Sequence, residues 1–197
     1  MPIPQLSNFT RRRPDNVVAG QPRYVNTLEI TEYTRSSPLS PTSGPIAIGV
    51  AVAFTGNVVG RNRLREVQAV DTPAYTFVAE DFAGFTAQVH EDNLDRLGSV
   101  PSLHDPARIS DYANTFRYDP ANMQGFLVPR WTFKSIWVRT DLTVAPALGV
   151  DVQILPDGRV SDAGGVAVPG VVFTGDVVTG WDGDQYATVN IVTPVAA

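Results

Sequence analysis

The sequence predicts a mainly β protein: a compact β-barrel or β-sandwich domain of short antiparallel strands, with an extended N-terminal arm and one short helix in an insertion. Val150, Val152 and Ile154 lie two residues apart, so they fall on one face of a strand. Pro156-Asp157-Gly158 ends this strand, and Asp-Gly between such runs is a strong hairpin signal. A glycine turn at 163–165 precedes another apolar run, a spacing typical of a β domain.

The first 35 residues are expected to form an arm with a lead-in strand. Four prolines within residues 1–23 disfavour helix and central strand, and the few apolar side chains there cannot bury one another. Such an arm is either disordered or ordered by lying on a partner. Residues 24–34 alternate well enough for a strand, and the Pro/Ser-rich stretch at 35–44 is predicted to be a linker.

The predicted β domain spans 36–197. Ile46, Ile48, Val50 and Val52 would share one face of a strand, and Gly56-Asn57 is predicted to turn the chain. Short strands are expected at 67–70 and 85–89, with Tyr75, Phe77 and Val78 between them, and a last strand is predicted at 187–192.

Residues 90–125 are predicted to be an insertion between two β sections. Asp105-Pro106 resembles a helix N-cap followed by proline at the first helical position. Ile109, Tyr112, Ala113 and Phe116 then have helical spacing, which predicts a short helix at about 106–117. Tyr112 and Phe116 are candidate interface residues.

Three aromatic residues follow the insertion. Trp131, Phe133 and Trp137 occupy odd positions, so a single strand would place them on one face as part of the core. A second interpretation makes Trp131 an interface anchor, since tryptophan is favoured at the centre of interfaces.

Composition limits the chemistry. At 197 residues the chain can bury roughly 70% of its extended-state surface, so folding requires neither disulfides nor metals. The absence of cysteine excludes thiol nucleophiles and cysteine metal sites. Only His90 and His104 are available as histidines, which excludes a His-rich metal site. No cofactor is expected.

Charge is unevenly distributed. The formal net charge is −5, which gives no support to nucleic-acid binding. Residues 1–35 carry five arginines against three acidic residues, whereas 140–197 carry seven aspartates and only Arg159. Lys134 is the single lysine among 15 basic residues. Arginine suits bidentate and stacked contacts at interfaces, and a GC-rich genome would explain the same bias.

Patterns for catalysis or metal binding are weak. Neither histidine lies in a nucleophile motif, and the adjacent Glu80 and Asp81 would face opposite sides of a strand. Asp182 and Asp184, with Asp176, resemble half of a calcium loop, but a plain turn explains them better. No phosphate loop or dinucleotide fingerprint follows any strand. A binding or structural protein is therefore favoured over an enzyme.

Neither a membrane nor a secretion signal is indicated. The longest apolar run, 45–54, has about ten residues against roughly 20 for a spanning helix. Arg11-Arg12-Arg13 is not followed by an apolar region, so it is not a twin-arginine signal. The triplet could contact nucleic acid or, equally, an acidic protein surface. The chain is expected to be made and used in a cytoplasm, or in something assembled there.

Several segments together resemble the structural cement, or capsid decoration, proteins of tailed bacteriophages. Residues 44–52 and 67–70 are similar to the opening of that family. Further segments occur in the family's order: 136–139, 144–146, 149–153, 156–158, 169–173 and 187–192. The resemblance covers about 44–89 and 126–192, whereas the arm and the insertion depart from it.

The resemblance implies a structural virion protein that docks on the outside of an assembled head and clamps neighbouring major capsid subunits. It would be made in the host cytoplasm, and copies of it would associate as a trimer or dimer at a symmetry axis. The arm would lie on capsid subunits through Leu6, Phe9, Arg11, Arg12, Arg13 and Arg23. No nucleic acid or membrane would be a partner.

The alternative is a carbohydrate- or receptor-binding β-module. Such a module needs an exposed aromatic platform, for which Trp131, Trp181 and Tyr186 are the candidates.

Overall fold

The computed structural model describes Gly20 and residues 34–61, 63–87, 117–121, 127–180 and 183–192. These residues are almost entirely strands, turns and loops, with one turn of 3₁₀ helix at Ala79–Asp81, so the predicted mainly β fold is confirmed. The strands are β1 Thr34–Pro38, β2 Ile46–Ala47, β3 Ala51–Val59, β4 Leu64–Ala69, β5 Phe82–Thr86, β6 Arg117–Tyr118, β7 Leu127–Trp131, β8 Lys134–Thr140, β9 Asp151–Ile154, β10 Val160–Ser161, β11 Val166–Thr179 and β12 Gln185–Ile191.

Two sheets organise the described part of the chain. One is a five-stranded antiparallel sheet in the order β1-β7-β5-β3-β4. The other closes into a barrel in the order β10-β8-β12-β11-β9, in which β10 and β8 run parallel and the remaining pairs are antiparallel. β2 and β6 form a separate two-stranded ribbon.

The turn predicted at 156–158 links β9 to β10 and also joins the barrel to the five-stranded sheet. Gly158 has a φ of +81°, a conformation that glycine adopts without penalty. Its carbonyl accepts a 2.8 Å hydrogen bond from the Ala51 amide, and a Cβ there would lie 3.1 Å from the Ala51 carbonyl. Glycine therefore permits both the turn and the close approach of β3.

Buried side chains form two clusters. Within the barrel, Val152 and Ile154 are buried as their alternation predicts, together with Ile136, Val138 and Phe173. The second cluster lies against the face of the five-stranded sheet that the first cluster does not contact. It contains Leu39, Ile46, Ile48, Val50, Val52, Phe54, Val67, Ala69, Ala83, Tyr118, Val128 and Tyr186.

The prediction of a linker at 35–44 is wrong at its start. Residues 34–38 form β1, which pairs with β7 from Thr34↔Trp131 to Pro38↔Leu127. Small serines and a proline suit an edge strand, and the buried Ser37 hydroxyl accepts a hydrogen bond from Arg130. β1 thus crosses the predicted boundary at 35/36.

The expected single aromatic strand is also wrong. The strand is interrupted at 132–133. Trp131 therefore ends a strand of the five-stranded sheet, whereas Trp137 belongs to the barrel. In β8 the even-numbered Ile136 and Val138 fill the barrel, and Trp137 packs against the other cluster. Similarly, Gly56-Asn57 lies within β3 at a register shift, and the hydrogen bond typical of a turn runs from the Arg63 amide to the Gly60 carbonyl.

The predicted arm, lead-in strand and helix fall outside the described residues, apart from Gly20, Thr34, Arg35 and Arg117. Among the described residues, no helix combines the length and apolar character that crossing a membrane requires.

Candidate interaction surfaces

Most of the site residues predicted from sequence lie outside the described part of the chain. These are Leu6, Phe9, Arg11, Arg12, Arg13, Arg23, Tyr112 and Phe116. Their roles stay predictions.

Trp131 is described, and its side chain is buried. The indole is only 4% exposed, and its Nε1 donates a 2.8 Å hydrogen bond to the Gly20 carbonyl. Tyr186, a second candidate for an aromatic platform, is 1% exposed, and Trp181 lies outside the described residues. Trp131 and Tyr186 thus support the core and offer no surface for stacking a sugar.

An arginine-lined cleft lies where the β2–β6 ribbon meets the barrel. It has a volume of about 190 Å³, and its lining includes Arg117, Arg139, Arg159, Asp71 and Asp157. Arg139 is 4% exposed, and its Nε donates a 2.9 Å hydrogen bond to the Ile48 carbonyl.

Asp184 binds two of the arginines that line the cleft, and we call these three residues, with Asp157, the arginine cluster. Asp184 forms an ion pair with Arg139 and a second, at 2.9 Å, with Nη1 of Arg159. Arg159 also pairs with Asp157 at 3.3 Å. Burial, and then the neighbouring charge of Arg139, lowers the pKa of Arg117. Because Asp184 already engages two guanidinium groups, we interpret the cluster as structural.

Two of the three aspartates considered for calcium, Asp176 and Asp184, belong to the described part of the chain. Asp184 is committed to arginine, and Asp182 lies outside the described residues. No group of three or more potential ligands for a metal occurs among the described side chains.

The β3–β4 hairpin projects beyond the five-stranded sheet. β3 pairs with β5 only over residues 51–53, so past Phe54 the described hairpin strands pair only with each other. Residues 56–61 and 63, which we name the hairpin tip, are all exposed. The tip carries Arg61 and Arg63 and no acidic residue, and Val58 and Val59 are 51% and 40% exposed.

The base of the hairpin is held by stacked cations and a buried carboxylate. The guanidinium groups of Arg65 and Arg130 lie 3.5 Å and 4.8 Å from the centroid of the Phe54 ring. On the same hairpin, the carboxylate of Glu66 accepts hydrogen bonds of 3.0 Å from Thr55 and 3.2 Å from Asn57. These contacts fix the direction in which the tip points.

Arg130 is an internal cation. It is 2% exposed, and it donates to the Ser37 hydroxyl at 2.9 Å and to the Ala83 carbonyl at 2.5 Å. Burial, together with the positive charges of Arg65 and Arg35, lowers the pKa of Arg130 to about 10. Arg130 therefore ties β1, β5 and β7 together through neutral acceptors.

One end of the barrel combines acidic and apolar exposed side chains. Asp141 follows β8, Asp162 follows β10 and Asp151 begins β9. The pairs Thr140↔Val160 and Gln153↔Ser161 place the ends of β8 and β10 beside the start of β9, so the three aspartates lie at the same end of the barrel.

The loop between β8 and β9 lies at this end. Its Val144 and Leu148 are 76% and 80% exposed, the highest values among the large exposed apolar side chains of the described residues. We name Asp141, Val144, Leu148, Asp151 and Asp162 the acidic barrel end.

The hairpin tip and the acidic barrel end were missed by the sequence analysis. Arg61, Arg63 and Arg65 occupy alternate positions, and this pattern was available as a signal because alternate residues share a face of a strand. The acidic barrel end could not be anticipated, because its aspartates are separated by up to 21 positions and Asp141 joins the other two through the parallel pairing of β8 and β10.

The sequence matches no protein-family model and none of the curated proteins. The structure is similar to a chain in the capsid of Myoviridae phage XM1, with a TM-score of 0.55 and 13% sequence identity. The match covers 97% of this chain and 99% of that chain. The fold of this protein is therefore similar to that of a chain of a phage capsid structure.

Proposed function

We propose that the protein is a structural component of a phage virion. It binds the outer surface of an assembled capsid and stabilises it by clamping neighbouring major capsid subunits. The observation that carries this proposal is the fold similarity to a chain of a phage capsid, because it extends over nearly the full length of both chains.

The surface of the described region fits a protein that works by contact. The closed barrel and the five-stranded sheet form the base of the described region. The hairpin tip and the β8–β9 loop extend from this base and expose apolar side chains. Exposed apolar groups rimmed by charge are typical of protein–protein contact sites. In this proposal the N-terminal arm adds further contact area on capsid subunits through Leu6, Phe9, Arg11, Arg12, Arg13 and Arg23.

Repetition makes modest contacts sufficient. A capsid presents the same docking surface many times, and copies that also contact one another bind with an effective concentration set by their neighbours. Each copy can therefore bind weakly by itself and still strengthen the shell as a group.

The proposal is tested with heads that lack the protein. Purified full-length chain is added to them, bound copies are counted after co-sedimentation, and the capsid melting temperature is followed with and without the protein. We expect saturable binding and a higher melting temperature. Heads that bind no protein and melt unchanged would contradict the proposal.

The role of the arm is tested separately. A chain lacking residues 1–19, which keeps Gly20 and its hydrogen bond from the buried Trp131, is compared with a full-length variant in which Arg11, Arg12 and Arg13 are replaced by alanine. We expect the truncation to weaken capsid binding by at least about tenfold, and the alanine variant to weaken it less, because it keeps Leu6 and Phe9. Undiminished binding of the truncated chain would exclude a clamping role for the arm.

A further inference from the structure

We propose that the hairpin tip of one copy docks on the acidic barrel end of a second copy, so that the chain associates head to tail. The inference takes from the proposed function the idea that copies of the protein contact one another, and it specifies which surfaces do so. The two surfaces differ, so the contact is heterologous, and a heterologous contact that closes on itself produces a ring.

The hairpin tip supplies positive charge that the described fold leaves uncompensated. Arg61 and Arg63 are exposed, and no ion pair to either is found within the described residues. They flank a turn whose strands carry the exposed Val58 and Val59. The tip therefore presents a small apolar patch beside two guanidinium groups that form no ion pair with the described residues, which is a combination enriched in interfaces.

The acidic barrel end supplies the complement. Asp141, Asp151 and Asp162 are exposed and form no ion pair with the described residues, in contrast to Asp157 and Asp184. Val144 and Leu148 lie in the loop that connects Asp141 to β9, and both are exposed. This surface thus has the same composition as the tip, two exposed apolar side chains with several charges, but with the opposite sign.

A single copy does not satisfy this complementarity itself. All seven described residues of the tip are exposed, as are Asp141, Val144, Leu148, Asp151 and Asp162, so the two surfaces do not cover each other within one chain. The stacked base at Phe54, Arg65 and Arg130 also holds the tip in one direction. A second copy is the partner for which the chain itself provides both halves of the contact.

The contact is expected to be weak in isolation and sensitive to salt. The tip has far fewer residues than the roughly 20–30 that each partner contributes to a stable interface. Exposed charges are screened over about 8–10 Å at physiological ionic strength. Array formation on a capsid would raise the local concentration of the chain and so populate the contact.

A charge-swap experiment tests the pairing without any capsid. Variant A carries R61E and R63E, so its tip and its barrel end are both negative. Variant B carries D151R and D162R, so its tip and its barrel end are both positive. Self-association of the wild type, of A, of B and of an equimolar mixture is followed by sedimentation velocity over a range of protein and salt concentrations.

We expect A and B to associate at least about tenfold more weakly than the wild type, and the mixture to recover association, because each tip then meets a surface of opposite sign. All four substituted residues are exposed, so thermal unfolding by circular dichroism should be unchanged. Loss of association in A and B without recovery in the mixture would overturn the proposed pairing.

Crosslinking provides a measurement that does not require a long-lived complex. The chain has no cysteine, so V59C and V144C variants each carry a single thiol, and a short bismaleimide reports their proximity in a mixture. The matched control replaces V144C with V78C, since Val78 is 43% exposed and lies away from both surfaces in sequence. We expect the V59C–V144C product to exceed the control by about tenfold and to fall with added salt.

Equal yields in the two mixtures at every concentration would reject the contact. The outcome is separate from that of the proposed function, which is measured by binding to heads. If variant A associates normally but fails to bind heads, the tip contacts the capsid instead, so that result overturns this inference and leaves the proposed function intact.

Discussion

Replacing Asp184 with asparagine removes the negative charge that Arg139 and Arg159 share. The side chains of Asp184 and Arg139 are 17% and 5% exposed, whereas that of Arg159 is 35% exposed. Arg139 also binds the Ile48 carbonyl, and its backbone amide binds the Gly49 carbonyl at 2.8 Å. The substitution therefore leaves a buried cation at the point where the barrel meets the segment that leads into β3.

The expected cost follows from burial. Removing one partner of a fully buried ion pair costs about 3–5 kcal/mol, because the other charge is left without compensation. Partial exposure of Asp184 and Arg159 lets water replace some of the lost interaction, and asparagine retains one carbonyl acceptor. We therefore expect Asp184→Asn to lower the free energy of unfolding by about 2–3 kcal/mol.

Asp157→Asn is the matched control. It makes the same chemical change on the other aspartate that contacts Arg159, but its side chain is 57% exposed and its ion-pair distance is 3.3 Å. Exposed pairs contribute little, so a change within about 0.5 kcal/mol is expected. Both variants are unfolded with urea, and the free energies are obtained by linear extrapolation with the slopes compared.

Two results would refute this reasoning. Equal losses in the two variants would mean that burial of Arg139 does not make its charge costly. If Asp184→Asn no longer lowers the free energy of unfolding when it is introduced into the Arg139→Met variant, the reasoning is supported. If it lowers that free energy there as well, the effect belongs to Arg159 or to the turn that Gly180 and Asp184 close.

Two further substitutions test the backbone and the pH dependence. Gly84→Ala should cost more than about 4 kcal/mol or prevent folding, because the new Cβ would overlap the Trp131 carbonyl; Gly164→Ala, at a similar positive φ with open space, should cost about 1–2 kcal/mol, and thermal unfolding of both variants checks this. Burial, with the 2.8 Å hydrogen bond to Asp81, raises the pKa of Tyr75 above its ordinary value of 10.0. The folded state then keeps a proton that the unfolded state loses above pH 10, so this contribution to stability is present below pH 10 and falls above it. The difference in unfolding free energy between wild type and Tyr75→Phe should therefore shrink from pH 8 to pH 11 in urea titrations; a constant difference would contradict the shift.

The parts of the fold that follow from local rules were predictable. Alternation placed Val152 and Ile154 in the barrel, and Asp157-Gly158 marked the hairpin between β9 and β10. Both signals act over a few residues, where side-chain period and turn chemistry decide the outcome. The mainly β class followed from the number of such signals along the chain.

Features that depend on long-range pairing were not predictable in the same way. The serine- and proline-rich residues 34–38 have low strand propensity, yet they form β1 because β7 supplies a partner and Arg130 binds Ser37. The break at 132–133 depends on which sheet each half of the segment joins, and alternation within the segment carries no information on that choice. Tertiary context overrode the local pattern at both places.

The arginine bias of the sequence has two separate physical consequences in the described fold. Arg130 and Arg139 are buried, and they use several donors at once to join strands through carbonyl, hydroxyl and carboxylate groups, which a lysine could not do with the same geometry. Arg61 and Arg63 are exposed and form no ion pair with the described residues.

A role in joining strands does not explain arginine at the exposed tip. A GC-rich genome does not explain why the charge of the tip is opposite to that of the acidic barrel end. The exposed pair is thus where composition and structure together argue for a contact between copies, and replacing Arg61 and Arg63 by lysine distinguishes charge from guanidinium geometry. If charge alone brings the copies together, the lysine variant should associate as the wild type does, whereas variant A should not.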